Sequence, residues 1–204
     1  LEVDVARSPL ADFEPGQACA IADHRGKPLG VGYVNPASLI CARLVNRGID
    51  HALDRSLFVH RFKVALALRE RLFEEPWYRL VFGESDGLPG LTVDRFGDVL
   101  VAQATTAGME RLKGEIEAAL VANDPELAKS FDAPLIVREA GLEFECNPVS
   151  GQKTGWFYDQ RDNRDQLARL VKGKRVLDLF SYLGGWGLRA ARDGASEVVC
   201  VDSS

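Results

Sequence analysis

Apolar positions change their period several times along this chain, and each change marks an element. Residues 17–23, 29–34 and 39–45 read as short strands, the first two separated by a turn at His24-Arg25-Gly26-Lys27. Gly16, Gly26, Gly30 and Gly32 fall at turns or inside those strands, which predicts bulges or a tightly curved barrel rather than a flat sheet. From Asp54 or Ser56, either of which can cap a helix, Phe58, Phe62, Ala65, Leu66, Leu68, Leu72 and Phe73 recur at helical spacing until Pro76 ends the run. Strand character returns at 78–82, 91–95 and 99–105, with turns at 83–90 and 96–98, as in a β-meander. Met109, Leu112, Ile116, Ala119 and Leu120 share one face of a second helix that ends near Asn123-Asp124-Pro125. Strands at 134–138 and 142–147, joined only through Glu139, Ala140 and Gly141, complete a strand, strand, helix, strand, strand unit.

The last segment has a different grammar. An apolar, β-branched strand at 175–180 leads into a glycine turn, a helix at 185–193 with Gly194 as its left-handed cap, and a second such strand at 197–202. That is the opening β-α-β of a doubly wound, Rossmann-like α/β domain. The whole reads as a multi-domain α/β chain: a small β unit over 1–50, a central α+β domain over 51–150, and the start of a doubly wound domain over 151–204.

Composition removes several classes of function. With 46% hydrophobic and 27% charged residues over 204 positions, the chain is neither disordered nor fibrous. No apolar run exceeds the five residues of Val64–Leu68, against the roughly 20 a membrane helix requires. The first twenty residues carry four acids and no apolar core of a secretion signal, so export is not expected. Cys19, Cys41, Cys146 and Cys200 stand singly, without the pairing of a disulfide frame or zinc site, and His24, His51 and His60 are scattered. Free thiols in a reducing cytoplasm and no metal are the expectation. Cys200, inside the apolar stretch Val198–Val201, reads as a packing residue.

The net charge of −5 argues against wholesale coating of nucleic acid, but it is unevenly spread. Residues 41–79 hold eight basic residues against five acids, and 151–175 hold seven (Lys153, Arg161, Arg164, Arg169, Lys172, Lys174, Arg175) against three. Such patches permit RNA binding, and a solvated helix face gives the same count.

The chemistry concentrates where the strand ending Val176-Leu177-Asp178-Leu179-Phe180 runs into Ser181-Tyr182-Leu183-Gly184-Gly185. This places a carboxylate at the carboxyl edge of the sheet, where open α/β sheets bind ligands, beside glycines that let backbone approach closely. Twenty-four residues further on, Asp202 ends the second strand, where an acid can accept from both hydroxyls of a ribose. A dinucleotide would want Gly-x-Gly-x-x-Gly after the strand, whereas Phe180, Tyr182 and Leu183 stand in that turn. An adenosyl ligand without phosphates suits the acids better, and S-adenosylmethionine carries an ammonium, a carboxylate and a ribose.

Three ordered stretches, 83–97 (GESDGLPGLTVDRFG), 153–161 (KTGWFYDQR) and 176–185 (VLDLFSYLGG), resemble the bacterial family of 23S rRNA cytosine-5 methyltransferases, over about 17–204. The resemblance implies an N-terminal PUA domain that binds RNA, a central α+β domain, and a class I methyltransferase domain using S-adenosylmethionine. It assigns the cofactor to Asp178, Phe180, Ser181, Tyr182, Gly184, Gly185 and Asp202. It places Lys153, Thr154, Gly155, Tyr158, Asp159, Gln160 and Arg161 in an element lying over the cofactor or target base. Read by themselves, those side chains could serve phosphate, stacking and base-edge contacts, or form a helix entry capped by Asp159. Leu183 and Trp186 depart from the family pattern, and the connection at 139–141 is shorter than in its members.

Cytosine C5 is a poor nucleophile, so its methylation requires a thiolate to add at C6 first. The family places that cysteine, with an Asp-Pro-Pro type motif, beyond residue 204, so residues 1–204 alone are expected not to transfer methyl groups. Expected partners are 23S rRNA and no membrane, with a homodimer left open. Two further readings stand: an RNA-binding module that does no chemistry, and a methyltransferase of this scaffold acting on another base or RNA.

Overall fold

A computed structural model describes residues 9–125 and 134–203, which divide into two compact units, 1–129 and 130–204.

The first unit opens with an antiparallel sheet of β1 (Gln17–Ala22), β2 (Pro28–Val34) and β3 (Ala42–Asn46), in that order. The turn between β1 and β2 is closed by Asp23, whose Oδ1 accepts from the amides of Arg25 and Lys27, both at 2.9 Å. The expected irregularities are present: register shifts fall at Ile21/Ala22 and Val31/Gly32, and a Cβ at Gly30 or Gly32 would collide with the β3 backbone. Strand β3 starts later than the apolar pattern suggests, and Leu39 and Ile40 lie exposed in the connection before it.

Asp54 caps α1 (Arg55–Leu72), its side chain accepting from the amide of Leu57 at 3.1 Å, and Phe58, Phe62 and Ala65 form the buried face. The meander follows as β4 (Trp77–Phe82), β5 (Leu91–Phe96) and β6 (Val99–Ala104) in one antiparallel sheet. A single helix expected around Met109–Leu120 is broken into α2 (Ala107–Arg111) and α3 (Lys113–Asn123) by the non-helical backbone of Leu112. The break lets α2 press Gly108 against the ring of Tyr33 while α3 packs along α1, which one straight helix could not do.

Tyr33 and Val45 of the first sheet share one core with Phe58, Phe62, Val81, Leu91, Met109 and Ile116. The two segments that the sequence separates at residue 50 therefore bury their apolar surface together. The 83–90 stretch is the clasp: the Tyr33 hydroxyl donates to the Pro89 carbonyl at 2.6 Å, Arg43 meets Glu84 at 2.8 Å, and Arg69 meets Asp86 at 2.7 Å. Across β4 and β5, Arg79 pairs with the fully buried Asp94 at 2.8 Å.

The second unit begins with a hairpin, β7 (Leu135–Glu139) and β8 (Leu142–Cys146). Ala140 and Gly141 both take positive φ, 52° and 72°, as a two-residue type I′ turn demands, so the short connection is a closed hairpin turn. The sequence groups these strands with the preceding helix; the contacts group them with the C-terminal segment, because Glu139 is tied to Trp156 and Arg164. Then come α4 (Arg161–Ala168), β9 (Arg175–Leu179), α5 (Gly185–Arg192) and β10 (Glu197–Val201), with β9 and β10 paired in parallel. Helix α5 covers the sheet face carrying Asp178, Val198 and Cys200, while Leu177, Leu179, Val199 and Val201 are exposed on the other. Among the described residues no helix is long and apolar enough to cross a membrane.

Candidate functional site

Strand β9 delivers Asp178 to the start of α5, where its Oδ2 accepts from the amide of Gly187 at 2.9 Å. Only glycine fits there, since a Cβ on residue 187 would strike the sulfur of Cys200 and crowd Asp178. Burial raises the carboxyl pKa of Asp178; the Gly187 N–H opposes the rise and the negative charge of Asp202 adds to it. Asp202, just past β10, accepts from the amide of Tyr182 at 2.7 Å. Two carboxylates thus flank one turn, an arrangement that suits an ammonium and hydroxyls and repels a pyrophosphate.

The turn is held in a costly conformation. Phe180, Tyr182 and Gly184 take φ of 58°, 50° and 74°, so left-handed backbone occurs at every second residue. For the two aromatic residues this costs of order 1 kcal/mol each, and such strain persists where surrounding contacts over-determine it, characteristically at ligand sites. The contacts are present: Ser181 N–H donates to the Val201 carbonyl at 3.2 Å, and Gly184 N–H to the Ser181 carbonyl at 2.7 Å. The Tyr182 hydroxyl accepts from the Gln152 amide and donates to the Gly155 carbonyl, each at 3.3 Å. Phe180, by contrast, is 89% exposed, an unusual position for a large aromatic group that nothing in the core requires. The amides of Gly185 and Trp186 open α5, where no intrahelical acceptor exists for them.

A cavity of about 280 Å³ lies between this turn and the segment before α4, lined among others by Gln152, Lys153, Phe157, Phe180, Tyr182 and Trp186. The residues expected over a cofactor or base behave unequally. Lys153 bonds Asp159 at 2.9 Å and lies 4.3 Å from the centre of the Phe157 ring. Gln160 accepts from Asn163 at 3.0 Å, and Arg161 begins α4. Thr154 is buried, with its hydroxyl turned to the Trp156 carbonyl, and Gly155 serves Tyr182. Two expectations are corrected here. Tyr158 is 5% exposed and packs in the core, so it presents no face for stacking on a base. Asp159 is not the cap of α4, whose N-cap is Gln160 without a side-chain bond; Asp159 lies one residue earlier and holds Lys153.

The local basic excess is smaller than the composition suggests. Of the seven cations in 151–175, Lys153, Arg164 and Arg175 are paired with Asp159, Glu139 and Glu197. The most important group that the pattern missed is among them. Arg164, 2% exposed, gives Nε and Nη2 to the two oxygens of Glu139 at 2.6 and 2.7 Å, and Glu139 also takes the Trp156 indole N–H at 3.1 Å. A charge count cannot separate such an arginine from its solvated neighbours; its only sequence signal is an acid at the end of a strand otherwise facing a core.

Three of the four cysteines are poor candidates for a nucleophile. Burial pushes the Cys146 thiol up to about 11, and it raises Cys19 and Cys200 as well, the latter with help from Asp178. The packing role expected of Cys200 is corrected in part: its sulfur lies against Gly187, but as a residue it is exposed, because β10 has no further strand beside it among the described residues. Titration of the native protein with a disulfide reagent at pH 8 should therefore leave Cys146 unreacted while denatured protein reacts in full; rapid native labelling at Cys146 would contradict its placement. No group of three His, Cys, Asp or Glu suited to a metal occurs among the described residues.

Residues 2–47 match the family of PUA-like domains, and residues 125–204 match the S-adenosylmethionine-dependent methyltransferase family. Similar proteins include ribosomal RNA large subunit methyltransferase I of Cronobacter sakazakii, 37% identical over 217 residues, spanning 93% of this chain and 55% of the relative. The proteins of the same name from Escherichia coli and Shewanella frigidimarina are 38% and 36% identical, covering 93% and 94% of this chain and 54% and 55% of theirs. The chain spans about half the length of the curated relatives it matches. A solved Streptococcus mutans structure, described as a SAM-dependent methyltransferase, shares the fold with a TM-score of 0.82 at 23% identity, over 94% of this chain and 56% of that one. A methyltransferase solved in complex with SAH gives a TM-score of 0.80, also at 23% identity, over 94% and 55%. The acids and strained turn thus lie within the region that matches the methyltransferase family, and the chain joins a PUA-like region to the start of a methyltransferase fold.

Proposed function

We propose that this chain belongs to an enzyme that methylates RNA of the large ribosomal subunit, the modification falling on C5 of a cytosine. The observation that carries the cofactor side is the pair Asp178 and Asp202 flanking a turn whose strained backbone is held by hydrogen bonds from within the protein. Bound S-adenosylmethionine supplies an electrophilic methyl group on a sulfonium. Asp178 and Asp202 provide negative charge toward an ammonium and acceptors for ribose hydroxyls, and the open amides of Gly185 and Trp186 suit a carboxylate. Phe180 offers an exposed ring at the same turn, fit to stack on adenine or on a target base.

The RNA side rests on the PUA-like match and on the names of the relatives. The cytosine side rests on the family resemblance. It requires a thiolate that adds at C6 of the ring, after which C5 takes the methyl group and then loses its proton to a base as the C6–sulfur bond breaks and the thiolate leaves. The family resemblance places that nucleophile beyond residue 204, and Cys146, with its thiol held at about 11, is unfit for the step. The test is methyl transfer by the intact protein from radiolabelled S-adenosylmethionine to large-subunit RNA, alongside RNA carrying 5-fluorocytosine. A covalent protein–RNA adduct on the fluorinated RNA is expected, because fluorine at C5 cannot leave as a proton. Transfer without an adduct would move the reaction to another base or atom, and no transfer with retained RNA binding would leave an RNA-binding module.

A further inference from the structure

Resting on the reading that the turn before α5 binds S-adenosylmethionine, we propose that Glu139 is a positioning residue for that site and acts through Trp156. The indole is held from three sides. Its N–H donates to Glu139 at 3.1 Å, the Arg164 guanidinium carbon lies 4.8 Å from its ring centre, and the Phe144 ring of β8 packs at 4.4 Å between centroids. Glu139 is 4% exposed and its carboxylate is shared between Arg164 and Trp156, so the two side chains fix each other's place. The far edge of the indole rests on the first residue of α5: a Cβ added at Gly185 would sit 2.9 Å from Trp156 Cη2, closer than real contacts allow. Gly185 does not take positive φ, so it is glycine here because of the indole and not because of its backbone. The hairpin therefore sets, through one rigid ring, where the amides that open α5 stand.

The experiment titrates S-adenosylhomocysteine into the intact protein by calorimetry and follows thermal unfolding of each variant. In a helix, Gly185→Ala would ordinarily be neutral or stabilising. Here it is expected to weaken binding by about tenfold or more, because the methyl group displaces either the ring or the turn, an effect worth about 1.4 kcal/mol. Trp156→Phe shortens the ring that the methyl group meets, and the double variant Gly185→Ala/Trp156→Phe is expected to bind more tightly than Gly185→Ala alone. Glu139→Gln, if it folds, is expected to raise KM for the methyl donor with little change in kcat. A double variant no better than Gly185→Ala, with the unsubstituted protein binding normally, overturns the positioning role alone. Absence of binding by the unsubstituted protein overturns the cofactor reading and the positioning role with it.

Discussion

Replacing Arg164 by alanine is expected to destabilise the second unit by about 3–5 kcal/mol, the cost of removing one partner from a buried ion pair. The size reflects the groups left without a partner. Glu139 is 4% exposed, and without the guanidinium its carboxylate would keep a single neutral donor, the Trp156 indole. The Phe157 carbonyl would lose the 3.1 Å bond from Nη2, and the Trp156 ring would lose the cation beside it. A loss of that magnitude is a large share of the stability of an ordinary domain, so the melting transition should fall by many degrees or vanish. The double replacement Arg164→Met/Glu139→Leu is expected to recover most of it, because no charge then remains buried. Thermal unfolding followed by tryptophan fluorescence reports on this unit in a Trp77→Phe background, since Trp156 and Trp186 belong to it and Trp77 to the first unit. If the single variant melts within a degree or two of the parent, the pair does not hold the hairpin to α4.

That network also shows where sequence reading stops. Periods of two and 3.6 located the strands of the first unit and the capped helix, because those elements show one face to a core and the other to water, while the β-α-β was located by its continuous apolar, β-branched runs. The gathering of Asp178, Gly184, Gly185 and Asp202 at one turn was legible for another reason: a strand that runs into a glycine turn and a helix brings its end, and that of the next parallel strand, to the same edge. Three things were not legible. The break at Leu112 arises from two different packing partners, Tyr33 for α2 and α1 for α3, and each half still carries an acceptable helical pattern. Tyr158 and Arg164 sit in a polar, charged stretch, and only their neighbours in space, Glu139 among them, reveal that they are buried. The left-handed backbone at Phe180 and Tyr182 breaks the rule that such positions go to glycine, and a turn that violates local preference is legible only once its compensating contacts are seen.

Asp178→Asn is expected to separate stability from binding. The aspartate's pKa is raised above its unfolded value, first by burial and further by the charge of Asp202. For an acid the sign is then unfavourable: its ionised form costs stability at pH values above the folded pKa, and that cost fades as pH falls through the folded pKa toward the unfolded one. Asparagine keeps an oxygen that can accept from the Gly187 amide, carries no charge to desolvate, and removes the repulsion with Asp202. At neutral pH the variant should therefore melt at or above the temperature of the parent. Below the folded pKa of Asp178 the parent's carboxyl is protonated in the folded protein, so the difference between the two should shrink. Cofactor binding should move the other way. A hydrogen bond to a charged group is worth about 1.5–3 kcal/mol, so losing the charge opposite an ammonium should weaken S-adenosylhomocysteine binding by roughly 10- to 100-fold. Paired measurements of melting temperature and calorimetric affinity at two pH values decide the matter. A variant that loses stability and affinity together would assign Asp178 to the architecture of α5 alone, whereas stability kept and affinity lost is the signature of a carboxylate retained, at a cost to the fold, for its ligand.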